Sequence, residues 1–319
     1  MKAAVYSRYG APDVVAVGEI PTPTPRGDQI LVRVRAATVG AADSVARRGA
    51  PRYARLFFGV RRPRKPVLGA GFAGDVAAIG PAVTRFAVGD GVFGNTAPSF
   101  GTHAEYVCLS EQDAVAPMPT NLSHDAAAAL TDGTGLCFLR HKAHLSAGQR
   151  VLINGASGAV GTLAVQYARL VGAQVTAVCS GGNADLVRRL GADTVIDHTT
   201  TDFTEVEQAY DVVFDAVATS SFARCRAIVA DGGKYLTTAP GPAVLLWTRR
   251  SRGRTAAVAF AGLRPVAEKR DDLAYITRCA EDSTFVPVIE TCYPLAAVAD
   301  AHRHVDTGHK KGNVILEIP

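Results

Sequence analysis

Through about residue 110 the chain alternates short apolar runs with glycine and proline punctuation, as in VVAVGEI, QILVRVRAATV, GFAGDVAAIG and VGDGVFG. This rhythm predicts an all-β unit of short strands and tight turns. From Ser123 the period changes. The Ala-rich segment HDAAAALTDGTGLCFLRHKAHL predicts helix, and the continuous apolar run RVLIN predicts a buried strand entering a glycine-rich turn and a second helix. VTAVC, NADLVRRLGA, TVID, DVVFDAV, a helix through Arg226 and KYLTTA continue the alternation. Strands alternating with helices predict βαβ units, hence an α/β domain with a doubly wound parallel sheet covered on both faces. After Gly241 the stretch GPAVLLWTRRSRGRTAAVAF fits neither period, and a loop, a lid or a dimer edge all suit it. The tail regains order: RDDLAYITRCAED reads as helix, FVPVIETCYPL as strand and turn, LAAVADAHRHVDTG as a helix closed by Gly308, and NVILEIP as a final strand.

Composition narrows the class. The 319 residues are 48% hydrophobic and 20% charged, enough for two domains and unlike a disordered chain. No uncharged apolar run reaches the roughly 18 residues that span a bilayer, and MKAAVYSRYG lacks the apolar stretch of a signal peptide, so a cytoplasmic protein without a membrane span is expected. Cys108, Cys137, Cys179, Cys225, Cys279 and Cys292 stand singly, as reduced and mostly buried thiols would. Much of the net charge of +5 comes from Arg47 to Lys65 and Arg249 to Arg254. Neither stretch resembles a nucleic-acid module, so no specific nucleic-acid partner is expected. The run PRYARLFFGVRRPRKP is compatible with closure over an anionic substrate, with contact to a membrane surface, or with a solvated excursion. We expect the last, with Leu56, Phe57 and Phe58 tucked inward.

The densest chemical signal is VLINGASGAVGTLAVQYARLVGA, where a strand meets Gly155, Gly158 and Gly161 at the opening of a helix. A helix N-terminus presents unpaired N–H groups and the positive end of its dipole, so a pyrophosphate can settle there when no side chain blocks it. Ala156 occupies the position of the fingerprint's first glycine, Gly158 lets phosphate approach the main chain, and Gly161 allows close helix–strand packing. Ser157, Ala159 and Val160 complete the turn. The alternative is a turn that serves packing alone. In an NAD enzyme the second strand ends on an acid that binds the ribose hydroxyls. Here VTAVCSGGN ends on Val178, Cys179 and Ser180, and a serine hydroxyl beside glycine N–H groups suits a 2′-phosphate, favouring NADPH. Arg188 is a weaker candidate phosphate partner.

Together, MKAAVYSRYGAPDVV, LVRVRAATVGAADSVARRG, VLGAGFAGDVAAIGPAVTRFAVGDGVFG, CSGGNADLVRRLGADTVIDHTTTDF, GHKKGNVILEIP and the glycine turn resemble the medium-chain dehydrogenase/reductase superfamily, and within it the quinone oxidoreductase-like branch. The resemblance covers essentially the whole chain. It implies a Rossmann sheet inserted into a GroES-like β-rich catalytic domain, with residues 1–120 catalytic, 121–262 binding NADP, and 263–319 returning to the catalytic domain. Zinc alcohol dehydrogenases of the superfamily hold a metal with Cys, His and Cys, and the matching positions here are Gly40, Ala70 and Leu130. None of these side chains ligates zinc. The zinc-free branch implies hydride transfer from NADPH to a quinone or to the C=C bond of an enone, where hydrogen-bond donors stabilise the developing enolate. A small-molecule substrate and a homodimer are expected.

This chain departs from the branch where Gly40 and Ala41 precede Asp43, where Gly71 replaces an Asp, and where Val45 replaces a Tyr. Catalytic candidates are therefore few. Tyr53 is the phenol to test as a donor to a substrate oxygen. Asp43 either orients a ligand or caps the following helix. Thr134 matches a family threonine that reaches the nicotinamide ribose, or is an ordinary helix hydroxyl. His198, Val217, Thr238 and Ala239, at the ends of successive strands, complete the cofactor set, although His198 also reads as a surface turn residue. His103 reads as a structural histidine within a strand, and His302, His304 and His309 as solvated. Two other functions stay open: a cofactor-binding protein with little turnover, acting as a sensor, structural or RNA-binding relative, and an enoyl reductase of a biosynthetic pathway.

Overall fold

The computed structural model describes residues 1–238, 253–258 and 263–319. The chain divides into two compact units, the first comprising Met1–Asp132, Gly262–Ser283 and Pro287–Pro319 and the second Gly133–Ala261 and Thr284–Val286.

The centre of the first unit is β3 (Gln29–Val39), an 11-residue strand that is mostly buried, with only Gln29, Arg33, Arg35 and Thr38 half-exposed. It pairs antiparallel with β4 (Gly71–Ile79), with β6 (Tyr106–Ser110) and with β15 (Asn313–Glu317). Among the described residues the sheet runs β14-β15-β3-β4-β5-β7, where β5 is Gly91–Asn95, β7 Val115–Pro117 and β14 Ile289–Pro294. Its core gathers Ile30, Val32, Val34, Phe72, Val92 and Leu316. Helix α1 (Ala41–Arg48) follows β3 directly and ends at Gly49, whose φ of 56° is the left-handed conformation glycine tolerates.

The second unit carries a wholly parallel sheet. Strands β8 (Arg150–Asn154), β9 (Gln174–Cys179), β10 (Thr194–Asp197), β11 (Tyr210–Asp215), β12 (Val229–Thr237) and β13 (Thr255–Val258) lie in the order β10-β9-β8-β11-β12-β13. Numbered from β8 this is 3-2-1-4-5-6, the doubly wound order whose direction reverses between its first and fourth strands. The near-continuous burial of RVLIN, QVTAVC and YDVVFD fits strands covered on both faces. The Ala-rich segment after Ser123 is broken rather than continuous. It forms α3 (His124–Ala128), α4 (Thr134–Leu136) and a π-helical stretch over Cys137–Ala143. Likewise, the helix through Arg226 shrinks to α7 (Phe222–Cys225).

Three expectations are corrected here. Leu56 and Phe57 are not tucked inward: on the one-turn helix α2 (Arg55–Phe58) they are 68% and 64% exposed. A single turn can press only one side against the unit, and half-buried Phe58 takes it, edge-on to Phe100 at 5.7 Å between centroids. His103 lies in a bend before β6 rather than within a strand. His302 is fully buried, because Val298, Ala301, His302 and Val305 form the inward stripe of the helix Val298–Asp306. Arg249 to Arg252 and most of GPAVLLWTRRSRGRTAAVAF lie outside the described residues.

Candidate functional site

The carboxyl end of β8 runs into the glycine turn, and helix α5 (Ala159–Leu170) leaves it. Gly155 has φ +78°, and a Cβ there would strike Val217 at 2.5 Å, so Val217 lies over the turn. At Gly161 a Cβ would stand 2.1 Å from the Gly155 carbonyl oxygen and 2.6 Å from Ala156 Cα, so only glycine lets the helix start this close to the strand. Gly158 differs: a Cβ would meet just the Gly155 oxygen, at 3.5 Å. Among the described residues no side chain makes a cap hydrogen bond at the start of α5. Ala159, Val160 and Gly161 are its first three residues, whose N–H groups an α-helix leaves without internal partners. The combination is an open, uncapped helix N-terminus of the kind that receives a phosphate.

Thr134 opens α4, and the next residue, Gly135, packs its main chain on α5, where a Cβ would be 3.2 Å from both Val160 O and Ala164 N. Thr134 is thereby held beside the first turn of α5. Ser180 follows β9, and its Oγ accepts from Asn183 Nδ2 at 3.1 Å. The same amide donates to Ser157 Oγ, also at 3.1 Å. Buried Asn183 therefore ties the glycine turn to the end of the second strand, a positioning role that its place within NADLVRR did not announce.

Asp197, which ends β10, was also missed. Its carboxylate accepts from Thr199 N and Oγ1 at 2.9 and 2.7 Å, and these bonds with the Gly181 amide hold its carboxyl below the usual range. His198 is exposed beside it and donates its main-chain N–H to Cys179 O at 3.1 Å. At the reversal point Asn154 pairs in register with Asp215. Asp215, fully buried, accepts from Asn154 Nδ2 at 2.9 Å, Ser220 N at 2.8 Å and Tyr235 OH at 3.1 Å. Burial and that carboxylate push the Tyr235 phenol well above its ordinary value. Thr238 turns its hydroxyl to Ala216 O at 3.2 Å, and Ala239 lies outside the described residues.

Of the catalytic candidates, Asp43 and Tyr53 lie in the first unit and Thr134 in the second. Asp43 is buried at the third position of α1, with Oδ2 accepting from Gly40 N and Oδ1 from Gly69 N, each at 2.8 Å. Burial pushes its carboxyl up, against His103 and these amides. Such geometry fastens α1 to the loop before β4. Tyr53 is 53% exposed on a short turn and is not drawn into this cluster. Of the positions matching the zinc ligands, Gly40 caps α1 and Leu130 is buried. At Gly71, which the resemblance matches to an Asp, a Cβ would lie 2.2 Å from Thr131 Oγ1 and 2.6 Å from Thr38 Oγ1, so two threonines fill that space.

Comparison with known proteins agrees with this architecture. An alcohol dehydrogenase GroES-like domain matches residues 26–120, and a zinc-binding dehydrogenase domain matches residues 190–316. The chain is 31% identical over 334 residues to an NADPH-dependent alkenal/one oxidoreductase, chloroplastic, of Arabidopsis thaliana, covering 99% of this chain and 79% of that one. It is 29% identical over 337 residues to a chloroplastic quinone-oxidoreductase homolog of Spinacia oleracea, covering 99% and 98%. The quinone oxidoreductase structure from Coxiella burnetii superposes with a TM-score of 0.89 at 26% identity, covering 100% and 99%. With its GroES-like sheet and its parallel sheet reversing at the glycine turn, the chain belongs to the medium-chain dehydrogenase/reductase superfamily, in the quinone oxidoreductase-like branch.

Proposed function

We propose that this protein is an NADPH-dependent, zinc-independent reductase that passes hydride to a quinone or to the C=C bond of an α,β-unsaturated carbonyl. The observation that carries the reading is the uncapped N-terminus of α5, left open at Gly158 and set at the reversal point of the sheet. Residues 155–161 would hold the pyrophosphate, with Thr134 beside them. Ser180 and Gly182, the latter with no atom within 4 Å of a Cβ position, would take the 2′-phosphate, while Asp197 is engaged with Thr199 and Gly181. When bound, NADPH supplies the hydride. The side chains of Gly40, Ala70 and Leu130 offer no donor atom to a metal, so hydrogen-bond donors must stabilise the enolate, and the exposed Tyr53 is the phenol to be tested as its proton donor.

The relatives' names favour enones and quinones as substrates. The test is oxidation of NADPH and NADH against a panel of quinones and enones, with and without chelator, for wild type and Tyr53→Phe. Turnover preferring NADPH, indifferent to chelation and slowed by Tyr53→Phe supports the reading. Cofactor binding without turnover would replace it with a sensor or structural role, and activity restored by Zn²⁺ after chelation would refute zinc independence.

A further inference from the structure

Between Ser44 and Gly74 the chain carries no Asp or Glu but eight Arg and Lys residues, and the structure exposes six of them: Arg48, Arg52, Arg61, Arg62, Arg64 and Lys65. Among the described residues no carboxylate pairs with Arg52, Arg61, Arg62, Arg64 or Lys65. Four large apolar side chains stand out of the same lobe, with Tyr53 53%, Leu56 68%, Phe57 64% and Val60 62% exposed. Scattered apolar residues need no explanation, but four within eight positions, ringed by unpaired cations, do. Beneath them lies a cavity of about 190 Å³ walled by Phe57, Phe58, Leu68 and Phe100, with Arg64 and Lys65 at its edge.

We propose that this lobe docks the protein on an anionic lipid surface, with Leu56, Phe57 and Val60 entering the headgroup boundary and the arginines meeting lipid phosphates. Apolar side chains flanked by Lys and Arg are the composition of peripheral interfacial segments, where apolar burial and attraction to anionic lipid add. Charge selects this occupant over a second copy of the chain. An isologous contact would bring the six exposed cations of one protomer against those of the other, with no acid in the lobe to answer them. A nucleic acid would match the charge, but Leu56 and Val60 have no stacking or hydrogen-bonding use there.

The test is flotation of the whole protein with vesicles of phosphatidylcholine and phosphatidylglycerol, pure phosphatidylcholine serving as the neutral comparison. Binding to the anionic vesicles alone, weakened by salt, is expected. Removing two charges in Arg61→Ala/Arg62→Ala should lower the partition coefficient roughly 25-fold, at about fivefold per cation near the surface. Leu56→Ser/Phe57→Ser should lower it about tenfold or more through lost apolar burial. Circular dichroism and melting temperature confirm that both variants are folded. Failure to float at low salt, equal binding to neutral vesicles, or indifference to both double variants would overturn the proposal. So would displacement from vesicles by single-stranded RNA, or a dimer in light scattering that Leu56→Ser/Phe57→Ser dissociates, since the lobe would then belong to a nucleic acid or to a second copy.

Discussion

Adding one methyl group at Gly158 and one at Gly161 should separate cofactor affinity from folding. At Gly161 the new Cβ would lie 2.1 Å from Gly155 O and 2.6 Å from Ala156 Cα. Both neighbours are main chain, so the contact is relieved only if the first turn of α5 retreats from the strand. Overpacking of this kind costs about 1–3 kcal/mol, and roughly 2–4 °C of Tm per kcal/mol in domains of this size gives a fall of roughly 2–12 °C. At Gly158 the methyl meets only Gly155 O at 3.5 Å, and the φ of −80° suits alanine. Folding stability should therefore move by no more than about 1 kcal/mol. In the proposed site the same methyl would stand in the path of the pyrophosphate to the α5 amides. Losing one charge-assisted hydrogen bond of about 1.5–3 kcal/mol weakens NADPH binding roughly ten- to a hundredfold. Fluorescence titration of NADPH, set beside thermal melts without cofactor, measures both quantities. Unchanged NADPH affinity in folded Gly158→Ala would reduce the turn to a packing device, and an unchanged Tm in Gly161→Ala would refute the close approach.

Other substitutions probe the surrounding residues. If Ser180 takes the 2′-phosphate as proposed, Ser180→Asp should erase or reverse the preference for NADPH, by setting a negative charge beside that phosphate and offering an acceptor to ribose hydroxyls. Ser180→Ala should do less, and kcat/KM for both cofactors with one quinone decides. His302 titrates with the opposite sign to a salt-bridged histidine: burial, with His103 and Arg47 nearby, pushes its imidazole down to about 3. Below the ordinary pKa of about 6.5 the unfolded chain therefore takes a proton that the folded protein refuses. Its contribution to stability is lost as pH falls from there toward the folded value, at up to about 1.4 kcal/mol per pH unit. Urea unfolding of wild type and His302→Leu between neutrality and mild acid should show that slope in wild type alone, and equal slopes would refute the assignment. Asp43→Ala should destabilise by about 2–4 kcal/mol, because it strands the buried N–H of Gly69 and uncaps α1. Unaltered urea stability would show that its carboxylate does not fasten the two segments.

The glycine turn is legible because three chemical demands fall within seven consecutive residues, and the parallel sheet because the middles of β8 and β11 are continuous apolar runs. The residues around the turn are not legible, because register brings them together. Asn154 meets Asp215 only through the pairing of β8 with β11, and Asn183 reaches Ser157 only because β9 lies beside β8. Thr38 and Thr131 occupy the space at Gly71 from opposite directions in the chain. His302 is a different case. Its helical spacing with Val298, Ala301 and Val305 marks the buried side, but reading it as one of a histidine group hid that period. Leu56 and Phe57 defeat pattern reading because one helical turn has too few positions to declare which side faces in.

Strand β15 pairs with β3, matching Val314 to Val39 and Leu316 to Ala37. That register gives the two sheets different places in the order of synthesis. The parallel sheet is assembled from one uninterrupted span and can form while translation continues. The antiparallel sheet must hold β3 without its neighbour β15 until Asn313–Glu317 has left the ribosome. During that interval the β15-facing edge of β3, rich in Val and Ala, is an unpaired template of the kind that recruits other chains. Expression yield should accordingly respond more to substitutions at the end of β3 than to equivalent ones in β8.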